Sequence, residues 1–215
     1  MSKQAVISIA SVVGALVLII AVAVAVVRPW ERPAPVQDAA AVPLVDDSTH
    51  VLDDAGEGAP VVVEFFDYEC PACGQFHPVV EDLRERYAGD VTFAVRYIPL
   101  PGHPDAVPAA LAAEAAGQQG AFEPMHELLF ERQQEWSGSD DAEAAFRGYA
   151  DELGLDLAAF DAAVADPATL ARVQADADAA AALGVASTPT FFVDGAMVEL
   201  ERFDDVETAI EAALG

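Results

Sequence analysis

Both cysteines of this 215-residue chain stand in a single Cys-x-x-Cys, Cys70-Pro71-Ala72-Cys73, where an apolar run hands over to a helical pattern. That junction constrains the fold more than any other feature. Upstream, Val61-Val62-Val63-Glu64-Phe65-Phe66 is a short β-branched and aromatic run of the kind that makes a central strand buried on both faces. Downstream, Phe76, Val79, Val80, Leu83 and Tyr87 recur at helical spacing and predict a helix from Pro71 to Tyr87, closed by Gly89. A second strand follows from Val91 to Ile98 and is stopped by Pro99 and Pro101. For strand, helix and strand in such quick succession, a right-handed parallel crossover is the default.

The next stretch changes character. Residues 104–184 are rich in Ala, Glu, Asp and Leu, with helical stripes such as Phe122, Met125, His126 and Leu129, then Leu170, Val173, Ala177 and Ala180. Breaks near 117–120, 137–139, Gly154 and Pro167 divide it into four or five helices. Sheet resumes at Thr190-Phe191-Phe192-Val193, with a turn at Asp194-Gly195, a hairpin partner from Met197 to Leu200 and a last helix from Asp204 to Leu214. There is no internal repeat.

Ahead of the folded part, residues 5–27 run for 23 positions without a charge. At about 1.5 Å per residue such a helix spans a hydrocarbon core of roughly 30 Å. A cleaved signal peptide is the alternative, and Ala23-Val24-Ala25 offers a small-x-small site, but cleavable apolar cores usually run only about 7–15 residues. Lys3 on one side nearly balances Arg28 and Arg32 around Glu31 on the other, so charge counting assigns no orientation. The chain therefore divides into a tail at 1–4, a transmembrane helix at 5–27, a Pro-rich tether at 28–58, a sheet-bearing domain in two pieces at 59–102 and 185–215, and an inserted helical domain at 103–184. His50-Val51-Leu52, inside the tether, reads as a short leading strand.

Charge excludes several classes of function. The chain carries a formal −27, and residues 37–215 alone set 36 Asp and Glu against seven Arg and no Lys, a net of −29. Such a surface repels nucleic acid and anionic lipid. Its hydrophobic fraction of 53% excludes intrinsic disorder, and two cysteines are too few for a disulfide-stapled miniprotein.

The chemistry rests on the motif. Pro71 suits the first helical position, which makes Cys70 the N-cap, facing free N–H groups and the positive helix end that favour thiolate. Cys73, one turn in, is the less exposed thiol and able to resolve a mixed disulfide formed at Cys70. Glu64 lies in the apolar strand six residues before Cys70, where burial raises a carboxyl pKa and suits it to relay a proton to or from Cys73. Asp67 and Glu69 beside the motif disfavour thiolate, and His77, four residues after Cys73, is a possible modulator one turn along. Pro189 opens a strand within Ser187-Thr188-Pro189-Thr190.

The run from Val63 to Cys73, with Gly102-His103-Pro104 and the run from Gly184 to Gly195, resembles the membrane-anchored, exported DsbA-like thiol-disulfide oxidoreductases. The likeness covers about residues 60–214. It implies an α/β architecture, a thioredoxin fold with an inserted all-helical domain, preceded by one transmembrane helix. It also implies that Cys70 attacks, Cys73 resolves, Glu64 is the buried acid and Pro189 a cis-proline facing the disulfide, with Thr188 and Pro71 at the bound substrate. No cofactor and no metal are implied. The implied partners are exported proteins with thiols or disulfides and a membrane quinone-linked reoxidase of the DsbB or vitamin K epoxide reductase type. The catalytic domain is expected outside the cytoplasm on a single-pass membrane protein. Ala72 departs from the pattern, since many strong oxidants of the family carry His there.

Other readings use the same residues. The fold and motif also serve reductases and isomerases, and a non-catalytic peptide-binding module would use only the groove. A zinc site would need Cys70, Cys73 and His77 completed by His50 or His103, and a copper role would need only the two thiols. The expected activity is dithiol-disulfide exchange at Cys70/Cys73 that introduces disulfides into exported proteins.

Overall fold

The computed structural model describes residues 42–215. The expected tail at 1–4, the expected transmembrane helix at 5–27 and most of the expected tether lie outside them. Among the described residues no helix is long and apolar enough to cross a membrane.

The first run forms the central strand. Strands β1 (His50–Asp53), β2 (Val61–Phe66), β3 (Thr92–Tyr97), β4 (Thr190–Val193) and β5 (Ala196–Met197) make one sheet in the order β1-β3-β2-β4-β5. Strand β2 pairs in parallel with β3, from Val61 opposite Thr92 to Phe66 opposite Tyr97, and antiparallel with β4, from Val62 opposite Val193 to Phe65 opposite Thr190. With a neighbour on each side and a layer on each face, β2 has no polar side to present, which is why its sequence is a run rather than an alternation. Helix α1 (Pro71–Arg86) is the crossover to β3. Alternation along β2 sets the layers. Val62 packs with Val80 and Leu83 of α1 and with Val206 and Ile210 of α8 (Asp205–Leu214), whereas Val63 and Phe65 pack with Ala180 and Val185 on the opposite face.

The helical stretch holds six helices rather than four or five: α2 (Ala106–Gly117), α3 (Phe122–Glu131), α4 (Gln133–Trp136), α5 (Ala142–Glu152), α6 (Leu157–Val164) and α7 (Pro167–Ala182). The one-turn α4 is too short to show a period, so a pattern reading merges it with its neighbour. Two expected boundaries also move. Helix α7 covers one face of the sheet through Ala180, because its small side chains permit close approach, so the insert is not separate from the sheet-bearing part. The remaining helices share a core with Phe66, Val95 and Tyr97 of the sheet. The hairpin partner is shorter than Met197 to Leu200, since β5 keeps only Ala196 and Met197 before the chain leaves after Val198 N donates to Phe191 O.

The tether also ends earlier than 58. Strand β1 pairs antiparallel with β3, His50 opposite Val95. Before it, buried Arg96 of β3 donates to the carbonyls of Pro43 (3.0 Å) and Leu44 (3.2 Å) and pairs with Asp46. The same guanidinium meets fully buried Asp176 of α7 at 2.7 Å, so one arginine clamps residues 43–46 and α7 onto the sheet. Each of the seven arginines among the described residues is in an ion pair with a carboxylate.

Candidate active site

Cys70 caps α1 in extended conformation, with Pro71 at the first helical position. A proline there loses nothing, because its missing N–H has no partner within the helix. Cys70 is 7% exposed beside the exposed Pro71 and Ala72, while Cys73 is wholly buried; both are free thiols. The two sulfurs differ sharply in acidity. A hydrogen bond from the Cys73 thiol, helped by Thr188 and the backbone N–H groups of Cys73 and Ala72, outweighs burial and brings Cys70 down to about 5. Burial pushes Cys73 far above the usual thiol range, and the Cys70 hydrogen bond and the charges of Glu64 and Cys70 add to it. Cys70 is thus the thiolate and Cys73 its proton-bearing partner.

Glu64 projects from β2 on the face of Val62 and Phe66, toward α1, and is 5% exposed. Burial, with the charges of Glu81 and Cys70, raises its carboxyl to about 8. It is a neutral acid at pH 7, with a proton to give. Across the site the Thr188–Pro189 peptide bond is cis, and the Thr188 carbonyl lies 3.5 Å from Cys70 Sγ. Thr188, Pro189 and Pro71 therefore share one rim with the reactive sulfur.

Two expectations change. Asp67 and Glu69 do not face Cys70 as unopposed charges. Asp67, 2% exposed, accepts from Glu69 N (2.8 Å) and Leu100 N (2.9 Å) and pairs with His103 Nδ1 (2.7 Å). Glu69 accepts from Asp105 N (2.6 Å). His77 stacks on Phe130 with ring centroids 4.8 Å apart, and burial, with Arg84 adding, lowers it to about 4. It is neutral at pH 7 and lends no positive charge to the thiolate. The histidines invoked for a metal tetrad are engaged elsewhere: His50 bonds to Glu114 at 2.6 Å, and His103 bonds to Asp67. Among the described residues no three His, Cys, Asp or Glu side chains converge as metal ligands.

Two residues without a sequence signal of their own complete the site. Gln133 of α4 donates its amide to the carbonyls of Tyr68 (2.7 Å) and Cys70 (2.8 Å). Gly74 makes room for it, since a Cβ there would stand 2.5 Å from Gln133 Oε1. A glycine in the first turn after Cys73 was the available clue. Tyr68 OH shares a 2.9 Å hydrogen bond with Nδ1 of His126, which burial holds well below the ordinary imidazole pKa.

A nucleophilic thiolate at a helix start, its buried partner thiol and a neutral acid behind them make a dithiol-disulfide exchange centre on a thioredoxin fold. The chain belongs to the thioredoxin family, whose model matches residues 56–212. It is 30% identical to a thioredoxin-like oxidoreductase from Silicibacter pomeroyi DSS-3, with 82% of this chain and 96% of that one aligned at a TM-score of 0.66. Alpha-DsbA1 of Wolbachia pipientis (18% identical, 80% and 93% aligned, TM-score 0.70) and BdbD of Bacillus subtilis (24%, 78% and 93%, 0.69) share the fold. Among curated proteins, the chain is 44% identical over 156 residues to a Na(+)/H(+) antiporter NhaA 1 of Salinispora arenicola, covering 72% of this chain and 23% of that protein. The chain spans about a quarter of the length of that relative, and the transport named there stays with that protein.

Proposed function

We propose that this chain is a thiol-disulfide oxidoreductase that introduces disulfides into exported proteins. The observation that carries the reading is the split in acidity between Cys70, at about 5, and Cys73, far above the thiol range. In the oxidised protein a substrate thiolate attacks Cys70 Sγ; the Cys70–Cys73 bond breaks and a mixed disulfide forms. Cys73 leaves and takes up a proton, which Glu64 is protonated to supply. A second substrate thiolate then attacks the substrate sulfur of the mixed disulfide and releases Cys70, a good leaving group because it is stable as thiolate. The substrate gains a disulfide and the enzyme is left as the dithiol. Thr188 and Pro71, on the rim of Cys70, are where an extended substrate segment would lie.

Export and anchoring rest on the uncharged run at 5–27 and on the compartment in which disulfides persist. The dithiol needs an electron acceptor, and a membrane quinone-linked reoxidase of the DsbB or vitamin K epoxide reductase type would supply one. The test is the equilibrium of the Cys70/Cys73 pair against glutathione. An oxidase has a potential well above that of thioredoxin, and a value well below about −250 mV would turn the reading into that of a reductant. Labelling of Cys70 in whole cells by a membrane-impermeant thiol reagent tests the compartment, and a pair reached only after lysis would overturn the export claim.

A further inference from the structure

Ala72 brings no charge to the dithiol, and both carboxylates that precede Cys70 in the loop, Asp67 and Glu69, are buried. They lace that loop to residues 100–105, through Leu100 N and His103 Nδ1 onto Asp67 and Asp105 N onto Glu69. Among the described residues, the one side chain able to become a cation that hydrogen-bonds to either carboxylate is His103. Asp67 is inaccessible whereas the His103 ring is 24% exposed, so the imidazole can exchange its proton with solvent while the carboxylate cannot.

We propose that His103 is a positioning residue of the dithiol: its imidazolium, anchored on Asp67, cancels the buried carboxylate beside Cys70 and so favours the thiolate and the reduced pair. The inference rests on the exchange chemistry proposed above. The groups that bear on His103 agree with it. Burial of the ring opposes protonation, but the Asp67 hydrogen bond and the charges of Asp67, Cys70 and Glu69 outweigh it and hold the imidazole above its ordinary 6.5. Coupling of this kind is reciprocal. If the Cys70 thiolate retains the His103 proton, that proton retains the thiolate, beneath the stronger hydrogen bond from Cys73. The disulfide form has no thiolate, so the reduced form binds the His103 proton more tightly. Oxidising power therefore falls as pH rises from the His103 pKa of the disulfide form to that of the dithiol, the latter above 6.5.

The experiment uses the full chain in both redox states. The His103 ring signals, followed by NMR against pH, titrate at higher pH in the dithiol than in the disulfide form, by about half a unit or more. His103→Gln shifts the glutathione equilibrium toward the disulfide by about threefold or more, and His103→Lys, which keeps a positive charge, restores it. Identical His103 titrations in the two redox states would overturn the proposal, as would a folded His103→Gln protein with the wild-type equilibrium. The wild-type titration decides the matter if the variant does not fold. A wild-type chain that exchanges no disulfide with glutathione would instead bring down the exchange reading, and this proposal with it.

Discussion

The amide of Gln133 donates to the carbonyl oxygen of Cys70 at 2.8 Å, across 63 positions of sequence. With its second bond, to Tyr68 O, it makes a one-turn helix of the insert the brace of the catalytic loop. Removing the amide leaves two carbonyls without this partner, a loss of about 1–3 kcal/mol. Gln133→Ala lowers stability by that order. Gly74→Ala costs about as much, because its Cβ displaces Gln133 Oε1. The double variant costs less than the sum, since the second change removes what the first collides with. Urea unfolding of the four proteins measures the coupling, and additive costs would show that Gly74 and Gln133 act separately.

The acidity split assigns different fates to the two thiols. Cys70→Ser abolishes exchange, because the remaining Cys73 is buried and holds its proton. Cys73→Ser still attacks but cannot resolve, so it accumulates a stable mixed disulfide with glutathione, visible by mass spectrometry. An adduct on Cys73 in the Cys70→Ser protein would reverse the assignment.

Glu64 makes stability depend on pH with a definite sign. Its carboxyl rises from 4.5 in the open chain to about 8 in the fold, so between those values the native state binds the extra proton. Its contribution is complete below 4.5 and is lost as pH rises through 8, on the order of 1 kcal/mol per pH unit. Glu64→Gln flattens that slope and is more stable than wild type at pH 8, while its exchange is slower because the proton for Cys73 is gone. An equal loss of stability from pH 5 to pH 8 in wild type and Glu64→Gln, measured by denaturant unfolding, would count against a buried neutral acid.

The buried contact of Arg96 with Asp176 holds the start of the described chain in place. Arg96→Met removes the donor to Pro43 and Leu44 and leaves Asp176 with Arg172, at a cost of about 3 kcal/mol. The segment before β1 then opens to limited proteolysis while the sheet persists. A cut pattern unchanged from wild type would show that β1 alone docks it.

Much of this architecture was legible because local rules govern it. The run from Val61 to Phe66, the helix starting at Pro71 and the strand at Thr190 are short-range patterns, and each formed within a residue or two of its expected limits. Glu64 was legible as a buried acid because an ionisable residue in a run without alternation has no open face to turn to. Helix α4, the Gln133 brace and the Arg96 clamp were not legible. Helix α4 is too short to show a period, and the brace and the clamp rest on partners tens of positions away, where an arginine in a strand or a glutamine in a short helix looks in sequence like a surface residue.

The sequence by itself determined the strand-to-helix junction, the N-cap position of Cys70 and the acid behind it, since these follow from residue order, helix geometry and the cost of burying charge. Only the tertiary structure decided what surrounds the sulfur. Pairing of β4 with β2 brings Thr188 to Cys70 from 118 positions away, the segment after β3 sets His103 against Asp67, and packing of the insert turns His77 aside onto Phe130. Thiol acidity depends on hydrogen bonds and charges within a few ångströms, and the folded chain alone decides which groups come that near.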